Sequence, residues 1–458
     1  MNIFGIFLLS VTLGIVPAPR EAHMGEQKID EKYASSVRYV HSGKLGPEAY
    51  ELKIGKKGIV IKSSSDAGRF YAEKTLGQLF RCDQLYLGTI KDSPRFTWRG
   101  FMLDEARHFF GVEKVKELLD MMADYKLNRF HWHLSDNQGW RIEIKAFPEL
   151  TRIGAIGCDT DKNAPARFYT QDEIREIVRY AAERHIEIIP EIDMPGHARA
   201  LVRSIPEIDG FNSTVNPGSE KTYEIIRTIL TELSGLFPGR YLHIGGDEVQ
   251  NKKWMDLPEV AALVKKEGYT AVQEVQNYFG RRVGAIVASL GKEVLAWDDL
   301  VVSGIPSDSA VLLWWHTDKP EVLKDAQAAG FRTVVCPSRP MYLDNCQELN
   351  HKYGHKGRIQ YFNTIQQLYE YPVEESPLVL GVQANLWTEH VHNSNRVDFM
   401  VYPRIFALAE QAWSVNRDFD DFLRRLEYVY SWMDTKGFYY YDARNPDRHP
   451  EPSCPNIK

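Results

Sequence analysis

Charged and aromatic side chains recur in this chain just past the ends of short apolar runs, where a parallel α/β sheet would gather them. Asp104 and Arg107 follow the run at 101–104, Asp136, Trp140 and Arg141 follow 129–134, Asp193 and His197 follow 186–192, and Asp247 and Glu248 follow 241–245. Trp297 and Asp298 close the run at 294–297, Trp314 and Trp315 close 311–315, Tyr342 and Asp344 lie beyond 333–336, and Trp387 and Glu389 lie beyond 378–384. At a single position such a residue reads as a helix cap or a solvated loop; the recurrence at every strand end reads as a site. Carboxylates ringed by Trp and Tyr suit cleavage of a glycosidic bond, in which an acid protonates the leaving oxygen and a second group stabilises an oxocarbenium-like transition state. Asp247 and Glu248 are the best pair. Their Cα atoms are only about 3.8 Å apart, and on a regular strand their side chains would face opposite ways. At a strand end that is leaving the sheet both reach one pocket, but they are poorly placed to flank a sugar as acid and separate protein nucleophile. The arrangement favours the variant in which the substrate's own 2-acetamido oxygen attacks the anomeric carbon.

The elements that must position these residues follow from periodicity. The eight apolar runs just named alternate with helical segments at 112–125, 171–184, 221–236 and 271–290, with 398–413 after the last. Eight βα units in about 300 residues predict a (β/α)8 barrel, whose functional groups collect at the C-terminal ends of the strands. Before them, residues 17–94 read as a small α+β domain, with strands at 50–54 and 59–62 and a helix at 66–80. The barrel domain spans 95–440, and 441–458 is a tail rich in Pro and charge, expected to be loosely held. The long loop at 137–169 is expected to be functional.

Composition narrows the field. With 43% hydrophobic and 26% charged residues the chain is an ordinary globular protein. A net charge of −6, without a Lys/Arg run that would track a phosphate backbone, argues against nucleic acid as a partner. Five widely spaced cysteines with no C-x-x-C pair indicate neither a zinc site nor a disulfide framework. Residues 3–16 are apolar but shorter than the ~20 residues of a membrane span. They resemble the core of a signal peptide, taken here as 1–16, although the basic N-terminal region and a clear cleavage site are missing. A core strand is the alternative. The reading makes the protein secreted or periplasmic and not an integral membrane protein.

Five motifs, in order, resemble glycoside hydrolase family 20, the β-N-acetylhexosaminidases. They are Arg99-Gly-Phe-Met-Leu-Asp104-Glu-Ala-Arg107-His108, His131-Trp-His-Leu-Ser-Asp136-Asn-Gln-Gly-Trp140-Arg141, Glu191-Ile-Asp193-Met-Pro-Gly-His197, His243-Ile-Gly-Gly-Asp247-Glu248 and Leu386-Trp387-Thr-Glu389. The resemblance runs from about residue 95 to 432, and the unit before 95 resembles that family's α+β companion domain in shortened form. It implies a retaining exo-hydrolase that removes terminal β-linked GlcNAc or GalNAc from an oligosaccharide or glycoconjugate, with no cofactor or metal. Glu248 would be the general acid and then the base, its proton retained by burial near apolar and acidic neighbours. Asp247 would hold the acetamido N–H, Tyr342 the acetamido carbonyl, and Trp297, Trp314 or Trp315, and Trp387 would wall the sugar and its N-acetyl methyl. Arg107, Glu389 and Asp344 would bind hydroxyls, and Asp136 and His197 would relay towards Glu248. Gln383-Ala-Asn385 departs from the pattern where an acidic residue is more usual.

Other readings stand beside this one. A metal-dependent barrel hydrolase would use His131, His133, Asp193 and Asp247 as ligands, although two His spaced i, i+2 on a strand share a face and serve as well as core groups. A barrel that binds chitin-like sugars without cutting them is disfavoured because the acid and its relay are present. Release of a disaccharide such as lacto-N-biose needs an opened pocket, against which Arg107 and Glu389 argue. Arg99 is expected to brace the barrel.

Overall fold

The computed structural model describes residues 12–211, 213–353 and 362–455. They form two compact units, one of 96–123, 127–408 and 439–458, the other of the chain up to Arg95 with 124–126 and 409–438.

The smaller unit is a five-stranded sheet built from β1 (Glu21–Lys28), β2 (Val37–His41), β3 (Tyr50–Gly55), β4 (Gly58–Ser63) and β5 (Tyr86–Asp92), in the order β1-β5-β3-β4-β2. The expected strands at 50–54 and 59–62 are β3 and β4; of the other three, β1 and β2 are largely exposed and β5 is mostly half-buried, and none has the regular alternation that would announce it. Helix Asp66–Arg81, capped by the Ser65 side chain on the Gly68 N–H, packs Tyr71, Leu76 and Leu79 into the core with Leu52, Ile61 and Ile90. Helix Phe419–Lys436 clusters with this unit, whereas the sequence reading counts it with the barrel. Ile15 and Val16, at the end of the apolar stretch read as a leader, are buried, and the Val16 N–H donates to Gln78. Most of that stretch lies outside the described residues.

A buried ion pair sits in this unit. Lys126 Nζ lies 3.0 Å from Asp92, both side chains fully buried, and Asp92 also accepts from Tyr50 at 2.6 Å and from the Trp413 indole at 3.0 Å. Removing one partner strands the other charge without water, at a cost of about 3–5 kcal/mol. Lys126→Met is therefore expected to lower unfolding free energy by about that amount in urea titration; a change below ~1 kcal/mol would show that the network carries little stability.

The larger unit is a closed barrel of eight parallel strands, β6 (Trp98–Asp104), β7 (Arg129–His133), β8 (Glu187–Glu191), β9 (Tyr241–His243), β10 (Glu293–Trp297), β11 (Ala310–Trp314), β12 (Arg332–Val335) and β13 (Val379–Leu386), with β13 pairing back to β6. All eight expected strands are present. Their runs are continuous rather than alternating because both faces are covered; β6 is buried at every position. Helices Val112–Asp124, Gln171–Ala182, Glu220–Leu236 and Val272–Ser289 fall where the 3.6-residue period places them. The helix expected at 398–413 is instead two, Ser394–Val401 and Arg404–Trp413. Pro403 has no N–H to continue the first helix and forces Tyr402 into an extended conformation. The tail is held more firmly than expected: Cys454 is buried, and Glu451 accepts from the Lys352 and Tyr353 N–H groups.

Candidate active site

At the C-terminal end of the barrel strands lies a cavity of about 430 Å³, the size of a small-ligand site. Arg107, His197, Asp247, Glu248, Trp315, Tyr342, Asp344, Trp387 and Glu389, contributed by the segments after six different strands, line it together. Each of these was named from sequence.

The acidic pair is placed by two glycines. β9 ends at His243 rather than at 245, because Gly245 and Gly246 take left-handed φ values of 69° and 105° that no strand tolerates. A Cβ on Gly245 would stand 1.7 Å from Asp193 Oδ1, so only glycine lets Asp193 pass behind the turn. The chain then delivers Asp247 buried against the wall and Glu248, itself at φ 47°, outward at the rim with its side chain 61% exposed. This inverts one expectation: burial dominates at Asp247, whereas at Glu248 the His197 hydrogen bond outweighs it. Burial pushes the Asp247 carboxyl up to about 7, against the pull of the His197 cation. A hydrogen bond from His197 holds Glu248 below the ordinary carboxylate range. Asp247 Oδ1 is buried and has no protein partner among the described residues, so an acceptor is left free at the base of the cavity.

His197 Nε2 lies 3.5 Å from Glu248 and 3.9 Å from Asp247, while its Nδ1 lies 3.1 Å from Asp136. Burial disfavours the imidazolium, but the Asp136 charge outweighs it and holds His197 protonated well above the ordinary range. Asp136 is itself sunk beneath the cavity, sharing its oxygens among His197, His133 at 3.0 Å and Arg107 at 2.8 Å. Arg107 is fixed from behind by Asp104, which accepts the Ala106, Arg107 and Thr388 N–H groups and pairs with the Arg107 guanidinium at 3.3 Å. Glu389 lies 3.6 Å from Arg107 on the open side.

Asp344 Oδ1 is also buried without a protein partner among the described residues. Burial, with Glu389 nearby, raises this carboxyl to about 8. A carboxyl whose folded value exceeds its unfolded one stabilises the fold below the unfolded value and loses that contribution as pH rises through the folded one. The ligand-free protein should accordingly lose stability between the ordinary 3.8 and about 8. Asp344→Asn should flatten that fall by a few kcal/mol at most; parallel stability–pH curves for the two proteins would refute it.

The aromatic wall settles a choice left open by the sequence. Trp315 lines the cavity, stacks on Tyr342 at 6.4 Å and 21°, and donates to Asp299 at 3.1 Å. Trp314, the last residue of β11, turns away and is buried. Trp297 is buried under the floor, 5.8 Å from Trp387, so it backs the wall instead of lining it. Trp314→Ala should cost about 3–5 kcal/mol of stability, whereas Trp315→Ala should leave most stability and lower kcat/KM about tenfold, the scale of a lost aromatic contact. Equal activity loss per unit of stability in the two variants would contradict this division.

Several named residues do structural work. Arg99 is fully buried and donates to the Phe96 carbonyl. Trp140 is buried. Arg141 donates to the carbonyls of Glu105, Ala106, Ala155, Gly157 and Arg167, tying the long loop to the segment that carries Arg107. Asp298 accepts from His316 at 3.0 Å. His131 and His133 both face Glu191 inside the barrel, as core groups would. The alternative ligand set His131, His133, Asp193 and Asp247 does not converge on one centre: His131 groups with Glu191 and His243, His133 with Asp136 and Asp193, and Asp247 with Asp193 and His197. The cavity also takes in His316, Lys319 and Arg339, which sequence reasoning passed over because they lie on loops with no motif of their own. Glu191 was missed as well, although strand alternation from Asp193 places it facing the barrel interior.

Residues 96–416 match glycosyl hydrolase family 20, catalytic domain, and residues 26–93 match glycosyl hydrolase family 20, domain 2. The chain belongs to glycosyl hydrolase family 20. It is 35% identical to a β-hexosaminidase of Porphyromonas gingivalis over 87% of its own length and 55% of the relative's, and 39% identical to one of Vibrio furnissii over 80% and 65%. The chain thus spans between half and two-thirds of these family 20 relatives. Its fold superposes with TM-score 0.87 on a family 20 exo-β-N-acetylglucosaminidase of Vibrio harveyi solved in complex with N-acetylglucosamine, at 31% identity, covering 94% of this chain and 78% of that one.

Proposed function

We propose that this family 20 protein is an exo-β-N-acetylhexosaminidase that hydrolyses terminal β-linked GlcNAc or GalNAc with retention, the substrate's acetamido group acting as nucleophile. The observation that carries the reading is one cavity lined by Asp247, buried at its base, and Glu248, exposed at its rim. In this reading the terminal sugar enters first. Arg107, Glu389 and Asp344 hold its hydroxyls, and Trp315, Tyr342 and Trp387 enclose the ring and the N-acetyl group. The acetamido N–H donates to the free Asp247 oxygen and Tyr342 steadies the carbonyl, so that the carbonyl oxygen faces the anomeric carbon. As that oxygen attacks, positive charge develops on the oxazoline ring and strengthens the contact with Asp247.

Glu248 protonates the departing glycosidic oxygen, then removes a proton from the water that opens the oxazolinium. In the empty site its carboxylate is stabilised by His197 and by water. An aglycone lying over the rim displaces that water and raises the proton affinity of Glu248, while Asp136 keeps His197 oriented. The relatives' activities and the N-acetylglucosamine bound in the Vibrio harveyi enzyme support the substrate class. The deciding experiment compares an aryl β-N-acetylglucosaminide with the corresponding β-glucoside and adds a thiazoline analogue of the intermediate. Cleavage of the acetamido sugar alone, blocked by the thiazoline, is expected; equal cleavage of both, or no inhibition, would remove the substrate-assisted mechanism.

We also propose export from the cytoplasm, on the apolar character of residues 3–16. Since Val16, Gly14 and Thr12 are hydrogen-bonded to Gln78 and Gln84 inside the smaller unit, cleavage is expected before Thr12. N-terminal sequencing of the exported protein tests both points; an intact N-terminus on cell-retained protein would refute the export reading. Among the described residues no helix is long and apolar enough to cross a membrane.

A further inference from the structure

Beneath the cavity the barrel holds a charged group that the reaction scheme does not use. Glu191, the last residue of β8, is fully buried; His131 Nε2 lies 3.0 Å from its Oε2 and His243 Nδ1 3.0 Å from its Oε1. Oε2 lies 2.5 Å from His133 Nδ1, and the other nitrogen of that ring lies 3.0 Å from Asp136 Oδ2. Oε1 accepts from the Trp297 indole N–H at 2.9 Å. From the rim inward the contacts form one line, Glu248 to His197, His197 to Asp136, Asp136 to His133 and His133 to Glu191, each 3.5 Å or less.

A carboxylate in a dry core is stable only when paired, and histidine supplies a pairing whose geometry depends on its protonation. Burial opposes a charge on His133, yet Glu191, with Asp136 on the other side, holds the ring protonated well above the ordinary imidazole range. Both ring nitrogens then donate, so Asp136 meets an N–H and not a lone pair. A neutral His133 could present its bare nitrogen to Asp136 and repel it, and Asp136 would move towards Arg107 and away from His197. The contact of His197 with Glu248 would loosen in turn.

We propose that Glu191 and His133 form a buried positioning dyad that orients the Asp136–His197 pair and through it the acid group of Glu248. The inference rests on the reading of Glu248 as the acid. Neither residue touches substrate, and their effect is confined to the step in which the leaving group takes a proton.

The test is a series of aryl β-N-acetylglucosaminides of graded leaving-group pKa, with kcat/KM measured for the full chain and for Glu191→Gln, His133→Gln and Glu248→Gln. His133→Gln keeps a donor for Asp136 but has no second nitrogen for Glu191. Both dyad variants are expected to lose on the order of 10²-fold on the poorest leaving groups, the scale of a misplaced catalytic group, and about threefold or less, roughly half of a tenfold step in free energy, on dinitrophenyl substrates. A loss uniform across the series, a change in KM alone, or failure of both variants to fold would overturn the inference and make the dyad part of the core. A graded loss in Glu248→Gln with a uniform one in Glu191→Gln sinks only this inference, whereas a uniform loss in Glu248→Gln sinks the acid assignment and the dyad with it.

Discussion

Glu248→Gln is expected to lose about 10³-fold in kcat/KM on natural glycans and on aryl glycosides with poor leaving groups, within the 10²–10⁴ range of a positioned general acid. On dinitrophenyl glycosides the first step should survive, because that leaving group departs without a proton. The exposed position of the side chain makes the measurement clean: with 61% of it open to solvent, the amide replaces the carboxylate with little effect on the fold. The second step needs a base, so the variant should accumulate the intermediate when leaving groups are good, visible as a burst of released phenol. External azide, which needs no base, should speed its breakdown. Loss of equal size on all substrates, with no burst, would take the acid role away from Glu248.

Asp247→Asn is expected to act differently. The amide is nearly isosteric and can still accept the acetamido N–H, so KM should change by a few-fold only. It cannot stabilise the positive charge that develops on the oxazoline, and kcat should fall on the order of 10²–10³, the scale of removing one preorganised electrostatic partner. Unlike Glu248→Gln, this variant should lose rate on good and poor leaving groups alike, since the charge develops in both. The environment of Asp247 sharpens the point. Asp193 stands beside it, its own carboxyl pushed well above the ordinary range by burial and by the Asp247 charge. An Asp247→Asn effect confined to KM would mean that the residue binds the ground state and transition state equally.

Most of the barrel was legible because β strands covered on both faces leave continuous apolar runs, and the eight here are separated by helical periods. Two boundaries were not. β9 ends early because glycine in a left-handed conformation looks in sequence like any small strand residue, and the last barrel helix breaks at Pro403, whose effect the amphipathic pattern masks. In the smaller unit β1 and β2 are too exposed to announce themselves, and half-buried β5 lacks a regular alternation. Within the site, residues embedded in motifs were found by type and spacing. The choice between Trp314 and Trp315 depended on which face of the strand end leans into the cavity, and adjacent identical residues carry no signal for that. The proton balance was misjudged for a related reason: sequence places Asp247 beside Glu248, but only the turn geometry decides which of the two is buried. The departing stretch Gln383-Ala-Asn385 is buried in the barrel, with Gln383 within 3.1 Å of His131, away from the cavity lining. The departure therefore falls under the floor and not in the cavity lining.

The five-fold grip of Arg141 bears on the segment that carries Arg107 into the cavity. A long surface loop that must find its shape as the ligand arrives forfeits conformational freedom on every binding event, about 0.5–1.5 kcal/mol for each side chain stilled. Here that freedom is surrendered once, during folding, because one guanidinium uses all of its N–H groups to fasten carbonyls on both sides of the loop. In the proposed reading, a terminal sugar then meets Arg107 on a segment whose Glu105 and Ala106 carbonyls are already fastened.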